Sequence, residues 1–231
     1  MLRVGLTGGL GSGKSTVAAM LERRGAQVLQ ADEIGREMMR PEQAVYAAIV
    51  EQFGAEVVQA DGELDRAELA RLAFAEGRVE ELNAIVHPAV IARQAEIAEG
   101  IAARDPGAVL VVESALIFET KYGETNDGGV GWRARFDRMI LVVAPEELKI
   151  ARFVERASKQ GSPDREATEA LEEEARRRLG RQIDDAAKAA ACDYILKNGG
   201  SLAELEAQVD ALWPVLKEEA QGGQQASRGR R

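Results

Sequence analysis

The stretch GLTGGLGSGKST at residues 5–16 constrains the fold of this chain more than any other feature. It fits the pattern G-x-x-x-x-G-K-[ST], in which glycines let backbone N–H groups surround a polyphosphate, the lysine contacts the β- and γ-phosphates and the hydroxyl residue binds Mg²⁺. An apolar run at 2–7 precedes it and a segment of helical spacing at 14–25 follows it. We therefore predict an ATP-binding loop formed by Gly8, Gly9, Gly11, Ser12, Gly13, Lys14, Ser15 and Thr16.

Four further apolar runs predict strands. Those at 108–118, 136–144 and 192–198 are rich in β-branched residues, and a run at 26–32 ends in Asp32. Such runs are typical of strands buried in parallel sheets. Because helical segments separate them, we predict an α/β fold with a parallel sheet flanked by helices. Ligands of these sheets bind at the carboxyl ends of the strands.

Two segments are longer than a crossover between parallel strands requires. Residues 33–107 have an almost wholly helical pattern and are interpreted as an inserted helical subdomain. Residues 146–191 are strongly charged around a Gly-Ser-Pro turn at 161–163, and charge alone favours a solvated helix pair over a hairpin that swings. The predicted core is then 1–32, 108–145 and 192–218, with a glycine-rich loop at 120–135 and a disordered tail at 219–231.

Composition limits the partners. A net charge of −9 opposes binding to a nucleic-acid backbone, and 4% aromatic residues leave little surface for base stacking. The single cysteine, Cys192, excludes an intramolecular disulfide and a multi-cysteine zinc site. No run approaches 18 apolar residues, and the N-terminal residues lack a signal-peptide pattern. We expect a cytoplasmic protein that binds small molecules, with neither nucleic acid nor membrane as a partner; its oligomeric state stays open.

Acidic residues near the predicted strand ends are candidates for chemistry. Asp32 follows the second strand, where a carboxylate can accept the proton of an attacking hydroxyl and orient it for transfer. The alternative is that Asp32 caps the next helix, and position alone does not decide between the two. Glu113 and Glu119, close to the end of the third strand, are candidates for binding magnesium or a substrate.

Basic residues of the insert are candidates for binding a substrate. Arg36 lies four residues beyond Asp32, and Arg66 lies further along the insert. Arginine can bind phosphate oxygens with two parallel hydrogen bonds, although most arginines simply face solvent. His87, the single histidine, is flanked by apolar residues and precedes Pro88. From its neighbours alone, a packed histidine bonded to backbone is the favoured interpretation.

Taken together and in order, these pieces resemble the dephospho-coenzyme A kinase family. The resemblance covers about 1–212. Apart from the phosphate loop, no single segment is specific for the family, but the segments together and in this order are. The segments that carry it are GLTGGLGSGKSTV, ADEIGRE, LDRAELARLAF, LNAIVHP, ALIFE, ILVVAPEELKIARFVERA, RRRLGRQ and CDYILKNGG.

The resemblance implies transfer of phosphate from ATP, with Mg²⁺, to the ribose 3′-hydroxyl of dephospho-CoA, the last step of coenzyme A synthesis. It implies a P-loop kinase fold in which 33–107 binds CoA and 146–191 is a lid, in place of the solvated helix pair. By the same resemblance Asp32 and Lys14 are catalytic, and Glu119 stays a substrate-side candidate. The other residues it implicates are Arg66 and His87 toward the substrate, and Arg152, Arg156, Arg178 and Asn198 toward ATP. Arg36 stays a substrate-side candidate from its position near Asp32.

The chain departs from the family pattern at three positions. Gln30 stands where the family has the first aspartate of D-A-D, Ala115 where it has the proline of PLLFE, and Lys149 where a lid glutamine is common. Two other functions remain as alternatives: a P-loop kinase for another small metabolite, and a nucleotide-dependent switch ATPase. An aspartate directly after the second strand favours phosphoryl transfer over the switch.

Overall fold

The computed structural model of the protein describes residues 1–119, 131–158 and 165–228. Parts of three segments singled out above lie outside these residues: 120–130 of the glycine-rich loop, the turn at 161–163, and 229–231 of the tail.

The strands in the described residues are β1 (Leu2–Thr7), β2 (Gln27–Gln30), β3 (Val109–Glu113), β4 (Arg138–Val143) and β5 (Tyr194–Lys197). They form one sheet in the order β2-β3-β1-β4-β5. The pairs β1–β3, β1–β4 and β4–β5 are parallel, so the predicted α/β fold is confirmed. β1 has the bounds of the run that predicted it, whereas the other four strands are shorter than their runs. Thus β3 ends at Glu113 rather than at 118, since the Ser114 hydroxyl accepts a hydrogen bond from Leu116 N and turns the chain.

Helices make up most of the remaining described residues. They are α1 (Lys14–Arg23), α2 (Ala31–Met38), α3 (Ala44–Phe53), α4 (Arg66–Ala70), α5 (Val79–Arg104), α6 (Trp132–Arg135), α7 (Glu146–Ser158), α8 (Arg165–Leu179), α9 (Asp185–Ala189) and α10 (Leu202–Arg228). A 3₁₀ turn (Ala55–Val57) and a π-helical turn (Arg71–Ala75) complete them. Among the helices described, none combines the length and hydrophobicity that crossing a bilayer demands.

The chain divides into two compact units. The first consists of Met1–Leu29 and Ala102–Arg231, and the second of Gln30–Ile101. The second unit therefore overlaps most of the predicted insert at 33–107. The charged segment at 146–191 belongs to the first unit, where α7 packs against α8.

The core of the first unit lies between the sheet and two helices. Apolar side chains from β1, β3 and β4 pack against α1 and α10, and their removal from water stabilises the layer that carries the phosphate loop. Buried members of this core are Val4, Leu6, Val17, Leu21, Val111, Ile140, Leu205, Val209 and Leu216.

Helix α10 corrects the prediction of a disordered tail from residue 219. The helix continues to Arg228, and Ala220 is buried in the core. Glu219 accepts a hydrogen bond from the Tyr194 hydroxyl at 3.0 Å and pairs with Arg138 at 2.9 Å. The sequence does not indicate this continuation, because the partners of Glu219 come from distant parts of the chain.

The second unit has its own apolar core. Helix α3 supplies Val45, Ile49 and Phe53, and the segment that follows supplies buried leucines, including Leu69 and Leu72. Met38, Leu82 and Val86, each partly buried, cover this core. Side chains of α2, α4 and α5 thus pack with α3 in one apolar cluster.

Candidate nucleotide site

The phosphate loop connects β1 to α1, and two of its glycines are required by geometry. Gly11 and Gly13 have φ values of +70° and +95°, in the left-handed region that favours glycine. A Cβ on Gly11 would collide with the backbone oxygen of Lys149, and one on Gly13 with the side-chain nitrogen of Asn198. The loop therefore owes its shape both to its own backbone and to residues packed against it.

Lys14 lies across this loop. Its Nζ donates hydrogen bonds to the carbonyl oxygens of Gly8 at 2.8 Å and Gly9 at 3.1 Å. Lys14 is also the first residue of α1, whose N-terminus carries a partial positive charge. The ammonium group and the helix dipole together suit this loop to a polyphosphate.

Ser15 and Glu113 come together at the ends of α1 and β3. The Ser15 hydroxyl donates to Glu113 Oε1 at 3.0 Å. The other carboxylate oxygen, Oε2, is buried without a hydrogen-bond partner among the described residues. Both residues were predicted to bind metal, and the fold brings them together from positions 98 residues apart.

Asn198 and Arg152 also lie at the loop. Asn198 is buried directly after β5, and its side-chain nitrogen donates to Ser12 O at 2.8 Å. Arg152 on α7 donates to the backbone oxygen and to Oδ1 of Asn198, both at 3.2 Å. The structure thus places two residues implicated in ATP binding against the phosphate loop.

The other two arginines implicated in ATP binding, Arg156 and Arg178, have different surroundings. Arg178 Nε donates to Glu174 Oε1 at 2.6 Å, and its guanidinium lies 5.5 Å from the centre of the Phe153 ring. Hydrogen bonds from Arg178 and then Arg177 lower the pKa of the Glu174 carboxyl. Arg156 on α7 is exposed. Within the described residues, no hydrogen bond or ion pair joins either Arg156 or Arg178 to the loop.

Glu119 pairs with residues of its own unit. Its Oε1 lies 2.6 Å from Lys188 Nζ and accepts a hydrogen bond from Ile183 N at 3.3 Å. The Lys188 side chain is 0% exposed, and that of Glu119 14%. Their pairing compensates the burial of two charges, so the contacts of Glu119 are those of an internal partner.

Sequence reasoning missed the contacts that Gln182, Lys149 and Asp185 form around the loop. Leu10 N donates to Gln182 Oε1 at 3.0 Å, and Lys149 forms an ion pair with Asp185. Gln182 lies in the segment RRRLGRQ, which contributed to the resemblance only through its position. The position of a glutamine after a helix does not predict this contact, because its partner is a backbone N–H, which every residue except proline has.

In the second unit, Asp32 lies in the first turn of α2 and is exposed. The prediction of a strand through residue 32 is wrong, since β2 ends at Gln30. The alternative that Asp32 caps the helix is also wrong: Gln30 is the N-cap residue, and no side chain caps this helix. An acidic residue in the first turn is still favoured by the helix dipole. Arg36 is exposed one turn further along α2, on the same face.

Arg66 and His87 belong to α4 and α5 of the same unit. Arg66 is the exposed first residue of α4, just after Asp65, whose carboxylate caps that helix by accepting from Ala67 N and Glu68 N. His87 is half-buried within α5, one residue before Pro88.

Comparisons with known proteins identify the family of this chain. Residues 2–204 match the family model described as dephospho-CoA kinase. The dephospho-CoA kinase of Corynebacterium jeikeium is 39% identical over 218 residues, covering 94% of this chain and 100% of that protein. That of Methylococcus capsulatus is 38% identical over 213 residues, covering 92% of this chain and 95% of that protein.

A solved structure supports the fold. The crystal structure of TT1252 from Thermus thermophilus superposes with a TM-score of 0.68 at 30% identity, covering 93% of this chain and 97% of that one. Matches of this extent, on a phosphate loop complete with its lysine and its serine, establish both class and family: the chain is a phosphotransferase that belongs to the dephospho-CoA kinase family.

Proposed function

We propose that the protein transfers the γ-phosphoryl group of ATP to the ribose 3′-hydroxyl of dephospho-CoA, giving CoA and ADP. The observation that carries this proposal is the position of Lys14, held across a glycine loop by two loop carbonyls in a chain of this family. A lysine in this position contacts the β- and γ-phosphates, which are the leaving and transferred groups. The loop is therefore the donor half of the reaction.

The residues beside the loop fit Mg²⁺. Ser15 and Glu113 offer hard oxygen ligands 3.0 Å apart, and Glu113 retains a buried carboxylate oxygen without a described partner. In the part of the chain that the structure describes, no cluster of three or more His, Cys, Asp or Glu residues is arranged to bind a metal. Mg²⁺ suits such a sparse site because it takes one or two carboxylates and completes its shell with phosphate and water. When bound, it would neutralise charge on the β- and γ-phosphates.

The second unit supplies the acceptor half in this proposal. Asp32, exposed at the start of α2, accepts the proton of the 3′-hydroxyl and orients that oxygen for in-line attack on the γ-phosphorus. Arg36 and Arg66 are exposed cations in the same unit, suited to the phosphate groups of dephospho-CoA. His87 completes the residues proposed for this substrate.

The segment 146–191 acts as a lid in the same proposal. Arg152 is already fixed at the loop by Asn198, whereas Arg156 and Arg178 are exposed and would approach the phosphates as the lid closes. Arginines placed in this way stabilise charge on the transferring group, and closure keeps water from taking it. The protein thus contributes position and charge rather than a covalent intermediate. Its cytoplasmic location stays a prediction.

The direct test is incubation of the protein with ATP, Mg²⁺ and dephospho-CoA, followed by mass spectrometry. A product one phosphate heavier than dephospho-CoA is expected. A parallel panel of nucleosides and sugar acids tests for another acceptor. Turnover of one of these, with none of dephospho-CoA by a folded protein that binds ATP, would refute the proposed acceptor.

A further inference from the structure

The segment 182–188, which runs from the turn after α8 into α9, touches three separated parts of the first unit around the phosphate loop. Gln182 contacts the phosphate loop, Asp185 contacts α7, and Lys188 contacts the turn after β3. None of these three side chains has a role in the reaction proposed above. Their partners nevertheless lie in the phosphate loop, in α7 and in the turn after β3.

The contact of Gln182 with the loop is specific. Gln182 Oε1 accepts the hydrogen bond of Leu10 N at 3.0 Å, at the tip of the glycine loop. A Cβ added to the neighbouring Gly9 would lie 3.4 Å from this same oxygen and 3.6 Å from Leu179 Cδ2. Leu10 also packs against the apolar cluster of Ile150 and Phe153. The tip is therefore held by a hydrogen bond on its backbone and by packing on its side chain.

The ion pair of Lys149 with Asp185 reinforces this contact. The Lys149 side chain is 9% exposed, and its backbone oxygen lies against Gly11. Its Nζ would lie 3.3 Å from a Cβ on Gly9. Since Asp185 is the first residue of α9, the pair ties α7 and the segment 182–188 to the same side of the loop.

Lys188 and Glu119 anchor the other end of the segment. The fully buried ammonium of Lys188 lies 2.6 Å from Glu119 Oε1, and the same oxygen accepts from Ile183 N. Separating the pair would leave a buried charge without its partner, which is strongly destabilising. The pair therefore holds the segment at one position relative to β3. Gln182 therefore reaches Leu10 from a fixed support.

We propose that Gln182 is a positioning residue for ATP: its side-chain oxygen fixes the tip of the phosphate loop, so that the remaining loop N–H groups converge on the polyphosphate before it binds. The expected effect of Gln182 on turnover rests on the proposed function. Its effect on nucleotide affinity does not depend on which acceptor the enzyme uses.

The test compares Gln182→Leu, which removes the acceptor at similar volume, with the wild-type protein. One hydrogen bond that preorganises the loop is worth about a factor of ten in affinity. We expect the Kd of ADP and the KM of ATP to rise about tenfold, with the KM of dephospho-CoA within about twofold. Arg165→Gln is the control, because Arg165 is 93% exposed and forms an ion pair with Glu169 one turn further along α8.

Hydrogen exchange of the Leu10 amide tests the contact directly in the wild-type protein. The amide should be protected in the absence of nucleotide, and Gln182→Leu should remove that protection. A Leu10 amide that exchanges as fast as an open loop until ADP is added would overturn the inference. So would an unchanged ADP affinity in a folded Gln182→Leu protein. If the wild-type protein binds ADP as expected but leaves dephospho-CoA unchanged, the proposed acceptor fails and the inference about Gln182 stands.

Discussion

The phosphate loop and the acceptor-side residues of the second unit are built in different ways. Lys14, Ser15 and Asn198 each form hydrogen bonds within the first unit that fix their positions around the loop. Asp32, Arg36 and Arg66 are exposed on the first turns of short helices or one turn beyond. In the first set, Lys14 is held by carbonyls of its own loop, whereas Ser15 and Asn198 are held by residues far along the chain. The second set is exposed to solvent.

This difference suggests how the two substrates are bound. A loop that is held in advance binds a polyphosphate with little further loss of side-chain entropy. Exposed arginines and a carboxylate keep their rotamer freedom until a substrate orders them. Changes in the first set should therefore act on ATP, and changes in the second set on transfer or on dephospho-CoA.

The largest effect is expected for Asp32→Asn. Loss of a positioned base should lower kcat by about 10²–10⁴-fold, while the Kd of ADP stays within about twofold because the loop is untouched. Steady-state kinetics and calorimetry measure the two quantities. Glu33→Gln, one residue further in the same exposed turn, is the matched control and should retain activity. A kcat for Asp32→Asn within twofold of wild type would remove Asp32 from the chemistry.

Lys14→Ala should affect both binding and transfer. The ammonium is the charged group that lies across the loop, and loss of one such electrostatic contact lowers kcat by about 10²–10³-fold. The Kd of ADP should rise as well, in contrast to Asp32→Asn. Lys197→Ala, at an exposed lysine of the same unit, controls for loss of charge. Equal ADP affinity in Lys14→Ala and wild type would show that the loop does not bind phosphate through this residue.

Arg66→Met should act on one substrate only. Loss of a charge-assisted hydrogen bond to a phosphate group is worth about 10- to 100-fold in the KM of dephospho-CoA, with the KM of ATP unchanged. The control is Arg71→Met, because Arg71 is paired with Glu68 and Glu76 within the unit. If both variants raise the KM of dephospho-CoA equally, the effect is one of net charge and Arg66 has no specific contact.

The smallest effect is expected at Cys192. Burial, and then the charge of Asp193, raise the pKa of this thiol to about 11. Below that pH the thiol is neutral, so alkylation should be slow at neutral pH and accelerate only as the pH approaches 11. Cys192→Ser should leave both KM values within twofold. Rapid alkylation at pH 7 would contradict the burial of this side chain.

Much of the first unit follows from the sequence alone. The phosphate loop, the five strands and the proximity of Ser15 to Glu113 are specified by local patterns together with the rule that parallel strands end at one edge. Asp32 was placed near a strand end but belongs to a helix, because the extended residue Gln30 ends β2 two positions earlier. An apolar run does not mark where its strand ends.

The contacts that hold the loop could not be predicted in this way. Gln182 meets Leu10 across 172 residues, and Lys188 is a lysine in the short, alanine-rich helix α9 whose buried charge is paired with Glu119. Such side chains look like surface residues in sequence because their partners are backbone groups or single charges far along the chain. The continuation of α10 past residue 219 was missed for the same reason.

Transfer of labelled γ-phosphate in a single turnover tests the central claim most directly. Enzyme in excess over γ-labelled ATP is mixed with dephospho-CoA and Mg²⁺, and the quenched products are separated. The account predicts that the label appears in the 3′-phosphate of CoA, and that without dephospho-CoA it stays in ATP over the same time. Label released as inorganic phosphate at the same rate with and without dephospho-CoA would contradict it.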